Sequence, residues 1–127
     1  YSIIVPLPYN PTNSQTINVG AVNFLSNEAQ NTYSGRLSPG GTGAGPLFEL
    51  IHTTQTSSRI QYELTLPGRT AAKYPQAFTI PLLYTTTDAN GNWKERIEIA
   101  IRDVNYNNHM VRAGSYKSII MVELIIN

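Results

Sequence analysis

Apolar and polar residues alternate one for one in eight short segments of this chain, and no interval between them carries an apolar repeat at helical spacing long enough to matter. Successive side chains of a strand point to opposite faces, so this alternation specifies strands with one face buried and one wet. The clearest case is 58–66, where Ile60, Tyr62, Leu64 and Leu66 share one parity and Arg59, Gln61, Glu63 and Thr65 the other. Residues 93–102 set Ile97, Ile99 and Ile101 against Arg96, Glu98 and Arg102. In 47–54, Phe48 and Leu50 face away from Glu49 and Ile51, and in 77–86 Phe78, Ile80, Leu82 and Tyr84 share a face. The chain reads as all-β.

The intervals carry turn chemistry. Segment 16–24 places Ile17, Val19 and Ala21 on one parity and then Val22 and Phe24 on the other, with Gly20 marking a bulge at the switch. A single helical turn is expected at 27–30 and a short strand at 32–37. Residues 38–46, SPGGTGAGP, read as a flexible loop. Pro67 and Gly68 end the preceding strand, and polar 69–76 reads as a crossing segment. Pro81, on the parity opposite Phe78 and Ile80, points to an edge or a bulge. Asn90-Gly91 between two alternating runs is the strongest short-range hairpin signal, so its flanks should pair antiparallel.

The 127 residues amount to one domain, 1–127, and seven or eight strands at this spacing fit an immunoglobulin-like two-sheet β-sandwich, with a small closed barrel as the alternative. Charged residues are 13% of the chain, about half the roughly 25% of ordinary globular domains, and the net charge is +1. Such a field favours neither nucleic acid nor an anionic membrane as partner. The absence of cysteine removes disulfides, thiol catalysis and thiolate metal sites together. No apolar run approaches the roughly 18 residues that insert as a spanning helix. A soluble, extracytoplasmic chain with a processed terminus at Tyr1 is the expectation.

Little in the chain is arranged for catalysis. The glycines of 40–45 are followed by Pro46 and a strand rather than a helix N-terminus, so they do not make a phosphate cradle. His52 and His109 stand far apart without a ligand-spaced neighbour and read as surface histidines, which leaves no metal site and no cofactor. Glu95 and Glu98 fall on opposite strand faces, and Ser34, Ser57 and Ser58 lack a nucleophile context, so an enzyme is not expected. Trp93 and Tyr84, with Tyr74 and Tyr106, are candidates for an aromatic sugar platform; core packing explains them as well.

The two ends of the chain are the most informative. Residues 115–126 form the longest expected strand, with Tyr116, Ile120, Val122, Leu124 and Ile126 on one parity and Ile119, Met121 and Ile125 on the other. A long final strand that is apolar both ways is an aggregation hazard unless another strand covers its edge. At the other end Tyr1, Ile3, Val5 and Leu7 alternate with Pro6 and Pro8, so 1–11 is either an edge strand of its own domain or a strand donated to another.

The ending AGSYKSIIMVELIIN, with its Gly114-Ser115-Tyr116 turn, resembles the close of bacterial fimbrial (pilin) subunits assembled by the chaperone-usher route, in their cysteine-free branch. The resemblance implies an immunoglobulin-like sandwich lacking one strand, which is supplied in trans. It implies a groove lined by Tyr116, Ile120, Val122, Leu124 and Ile126, a turn built on Gly114 and Tyr116, and a donor strand carrying Tyr1, Ile3, Val5 and Leu7. The implied partners are a periplasmic chaperone, an usher, neighbouring subunits in a head-to-tail polymer and a host receptor or glycan. The implied location is the bacterial cell surface, reached through the periplasm. In this family the chain is a shaft subunit, a tip subunit or the pilin half of an adhesin. Two rival readings stay open: a carbohydrate-binding sandwich module and a viral or phage coat or tail domain.

Overall fold

Strands account for every regular element in the computed structural model, which describes residues 2–6, 16–26, 33–82, 86–87, 90, 92–102 and 114–126, with 2–6 and 86–87 described by their backbone. In chain order they are β1 (Ser2–Pro6), β2 (Ile17–Ser26), β3 (Tyr33–Gly40), β4 (Glu49–His52), β5 (Arg59–Gln61), β6 (Glu63–Leu66), β7 (Thr70–Tyr74), β8 (Phe78–Pro81), β9 (Thr86–Thr87), β10 (Trp93–Arg102) and β11 (Ser115–Ile126). They form two antiparallel sheets. One joins β5, β4, β11, β3 and β8 with β1 also on β11; the other runs β2-β10-β6-β7 with β9 on β10. The sheets pack as the immunoglobulin-like sandwich that the alternation predicts. The helical turn expected at 27–30 lies outside the described residues.

The core sits where the inward parities of both sheets meet. Leu37, Phe48, Leu50, Ile60 and Ile120 of the first sheet and its connections, with Leu64, Leu66, Ile97, Ile99 and Ile101 of the second, are fully or almost fully buried. Burial of side chains of this size contributes roughly 1.5–3 kcal/mol each against the entropy of ordering the chain. Phe48 stacks on Tyr62 at a centroid distance of 5.8 Å and meets Phe78 edge-on at 6.4 Å. Arg69, in the turn after β6, ties the two layers by an ion pair with Glu95 of β10 and a hydrogen bond to the Pro81 carbonyl of β8.

Several elements differ from expectation for identifiable reasons. The strand expected over 58–66 is divided at Tyr62: β5 pairs with β4 in the first sheet, and β6 pairs with β10 in the second. The inward parity runs through the crossing unbroken, so Ile60, Tyr62, Leu64 and Leu66 are all buried. The strand expected over 77–86 divides likewise, β8 going to β3 and β9 to β10. Only β9 and β10 therefore form the antiparallel hairpin flanks of Asn90. The polar 69–76 stretch is not merely a crossing, because β7 pairs along β6 there. Ser38, Pro39 and Gly40 belong to β3 rather than to a flexible loop, facing Met121, Ile120 and Ile119. β8 stops opposite Leu37, so Pro39 lies where the other edge of β3 is open. The bulge of β2 falls at Val19, beside Gly20, where the register on β10 shifts between Ile99 and Ala100.

Candidate strand-exchange site

β11 is held at its start by a corner of buried polar groups. Gly114 has φ +136°, and a Cβ there would run into the His52 ring, so this turn requires glycine. His52 is buried, not the surface histidine expected. It lies edge-on to Tyr116 at 5.1 Å, and its Nδ1 accepts hydrogen bonds from the backbone N–H of Thr54 (3.1 Å) and Gln55 (3.0 Å). The loop after β4 turns on that ring nitrogen. The Tyr116 hydroxyl is 2.6 Å from the Ser58 Oγ, and the Tyr62 hydroxyl is 2.6 Å from the Ser118 Oγ. Burial pushes the Tyr62 phenol up to about 12, against the opposing effect of its bond to Ser118. None of these pairs was read from the sequence. The signal available was a serine at an inward position, Ser58 in step with Ile60 and Ser118 in step with Ile120.

The register shows which edge of β11 each neighbour takes. Tyr116 is flanked by both Val5 and His52, Lys117 by both Ile4 and Ile51, and Ile119 by both Ser2 and Gly40. A strand residue has one neighbour on each side, so β1 runs along one edge while β4 and β3 succeed each other along the other. β3 continues alongside β11 to Ile126, pairing it with Tyr33. β1 reaches only from Ser115 to Ile119. Along the β1 side of 121–126 no strand lies among the described residues.

Burial follows that geometry. On the inward parity Tyr116 and Ile120 are 0% exposed, Val122 is half-buried against the core, Leu124 is 47% exposed and Ile126 73%. On the outward parity Met121 is 48% exposed. The sandwich is closed at the start of β11 and open at its end, where apolar side chains of the inward row meet solvent. Open strand edges of this kind template pairing with another chain. Of the expected groove residues, Tyr116 is thus core beside β1 and Ile120 core one residue past its described end, whereas Val122, Leu124 and Ile126 lie along the open stretch. Of the expected donor residues, Ile3 and Val5 lie opposite Ser118 and Tyr116 in the register; Tyr1 and Leu7 fall outside the described residues.

The remaining candidates are dispersed. Trp93 packs half-buried against the core, and Tyr74 is stacked on Phe78 at 3.7 Å, while Tyr84, Tyr106 and His109 lie outside the described residues. Glu95 pairs with Arg69 and Glu98 with Arg96. Among the described residues no group of three or more His, Cys, Asp or Glu side chains is placed to hold a metal ion, and no helix is long and apolar enough to cross a membrane. No family model, curated protein or solved structure matches the chain.

Proposed function

We propose that this chain is a non-catalytic structural and adhesive subunit of a bacterial surface fibre, built by donating a strand from one subunit to the sandwich of the next. The observation that carries the reading is the pairing of the N-terminal segment, β1, along the edge of the C-terminal strand, on the side opposite β3 and β4. Among the described residues β1 has β11 as its strand partner and no other. A segment paired along one edge in this way is separable, and strand addition gives a replacement the same backbone hydrogen bonds. The open inward row of Leu124 and Ile126 supports the same reading, since a longer strand on that edge would cover it. A periplasmic chaperone is the partner that would cap this edge before assembly, with an usher and the neighbouring subunits after it. The fibre surface, outside the cell, is where the subunit would act.

The test is a chain beginning at residue 12, supplied with a peptide of residues 1–11. A large rise in melting temperature with a one-to-one complex is expected. A trimmed chain that is monomeric, melts cooperatively and ignores the peptide would overturn the proposal.

A further inference from the structure

The Gly-rich insertion between β3 and β4 opens the sheet on the edge of β11 opposite β1. β3 leaves β11 at Gly40, opposite Ile119, and β4 rejoins it at Ile51, opposite Lys117. Over that break lies a hollow of about 340 Å³ on the outer face of the sheet. Its volume is at the small end of the roughly 300–1,000 Å³ of small-molecule sites, the size for one ring rather than an extended chain. Gly41, at φ +86°, shapes its wall: a Cβ there would come within 2.8 Å of Ile119 Cδ1.

The lining has a definite chemistry. Ile51 and Ile119 supply a half-buried apolar surface, Thr42, Thr53 and Thr56 supply hydroxyls, His52 adds its ring, and Lys117 is the one Lys, Arg, Asp or Glu among the described lining residues. No carboxylate among the described residues lines the hollow, and the nearby Glu49 is paired with Arg59. The Lys117 ammonium and the three threonine hydroxyls take no partner among the described residues. A cation without a counter-charge, hydroxyls that both donate and accept, and an apolar surface suit one type of ligand. It has a carboxylate, several hydroxyls and an apolar ring face.

We infer that this hollow binds a single acidic sugar residue, its carboxylate on Lys117 and its ring against Ile51 and Ile119. The site lies across β11 from the β1 edge, so it remains open whichever strand fills that edge, and it stands or falls independently of strand donation. Amide NMR spectra of the full chain test it, with methyl glucuronide as probe and methyl glucoside and acetate as controls. Saturable shifts of the Gly41, Thr42, Thr53 and Thr56 amides are expected with the glucuronide. Both controls should bind weaker by on the order of tenfold, because each lacks half of the contacts. Lys117→Gln should weaken the glucuronide by a similar factor, while Lys73→Gln, the same charge change on β7 of the other sheet, should not. Absence of shifts at the hollow, equal binding of the glucoside, equal binding of acetate, or an unaffected Lys117→Gln variant would each overturn the inference.

Discussion

The Tyr116 hydroxyl lies 2.6 Å from the Ser58 Oγ, and the exchange is reciprocated further along both segments, where the Tyr62 hydroxyl lies 2.6 Å from the Ser118 Oγ. Each tyrosine belongs to the chain segment that holds the other's serine. The two bonds therefore clamp the start of β11 to the crossing between β5 and β6, where the chain passes from one sheet to the other. Removing either serine hydroxyl leaves a buried phenol without that partner, so Ser58→Ala and Ser118→Ala should each cost about 1–3 kcal/mol in denaturant unfolding.

The Tyr62 phenol, pushed up to about 12 by burial, makes stability depend on alkaline pH. Below the unfolded value of about 10 both states hold the proton and the full stability is present. Between about 10 and 12 the unfolded chain loses the proton and the folded chain keeps it, so stability falls by about 2–3 kcal/mol as pH rises through the window. Unfolding free energies across that range should show the decline. Tyr62→Phe should flatten this part of the slope, at the expense of the bond to Ser118.

How far the sequence could carry the fold is clearest at Tyr62 and His52. Alternation tells which face a residue takes and not which sheet it joins, so Ile60, Tyr62, Leu64 and Leu66 were legible as core while the break between β5 and β6 was not. Proline and glycine lower the prior for a strand, yet Ser38, Pro39 and Gly40 gain a partner in β11 that no local pattern reveals. His52 shares the inward parity of Phe48 and Leu50, but its burial depends on Gly114, distant in sequence, leaving room for the ring. At the candidate site, β11 was legible over its full length because apolar residues fill both of its parities. The division into a closed start and an open end was not, because it depends on how far β1 reaches.

Gly114 should be intolerant of substitution. Its φ of +136° is strained for any residue with a Cβ, and that Cβ would also collide with His52. Gly114→Ala should therefore destabilise by about 1–3 kcal/mol. A double-mutant cycle with His52→Ala separates the two causes: relief of the collision appears as coupling between the sites, and the backbone penalty persists in the double variant.

The burial gradient along β11 predicts unequal costs for the same substitution. Ile120 is fully buried, so Ile120→Ala should lose about 2–5 kcal/mol. Ile126, 73% exposed on the same inward parity, should lose no more than about 0.5 kcal/mol on substitution by alanine. Urea unfolding of the two variants measures the difference directly. Equal losses would mean that the end of β11 is covered in solution.

Strand donation makes a sharper demand at Leu124. A peptide of residues 1–11 in the register of β1 places Ser2 opposite Ile119, so its first residue ends short of Met121 and leaves Leu124 untouched. Leu124→Asp should then leave both the stability of the isolated chain and its uptake of that peptide nearly unchanged. A chaperone strand that runs the whole edge would instead pass over Leu124 and Val122, and a carboxylate at either position would have to be desolvated there. Co-expression with a cognate periplasmic chaperone should therefore show capture of the parent chain and loss of capture for Leu124→Asp. Val122→Asp should lose capture too, with a loss of stability besides, because Val122 already packs against the core. Capture of the Leu124→Asp chain at the parent level would count against pairing along the end of β11.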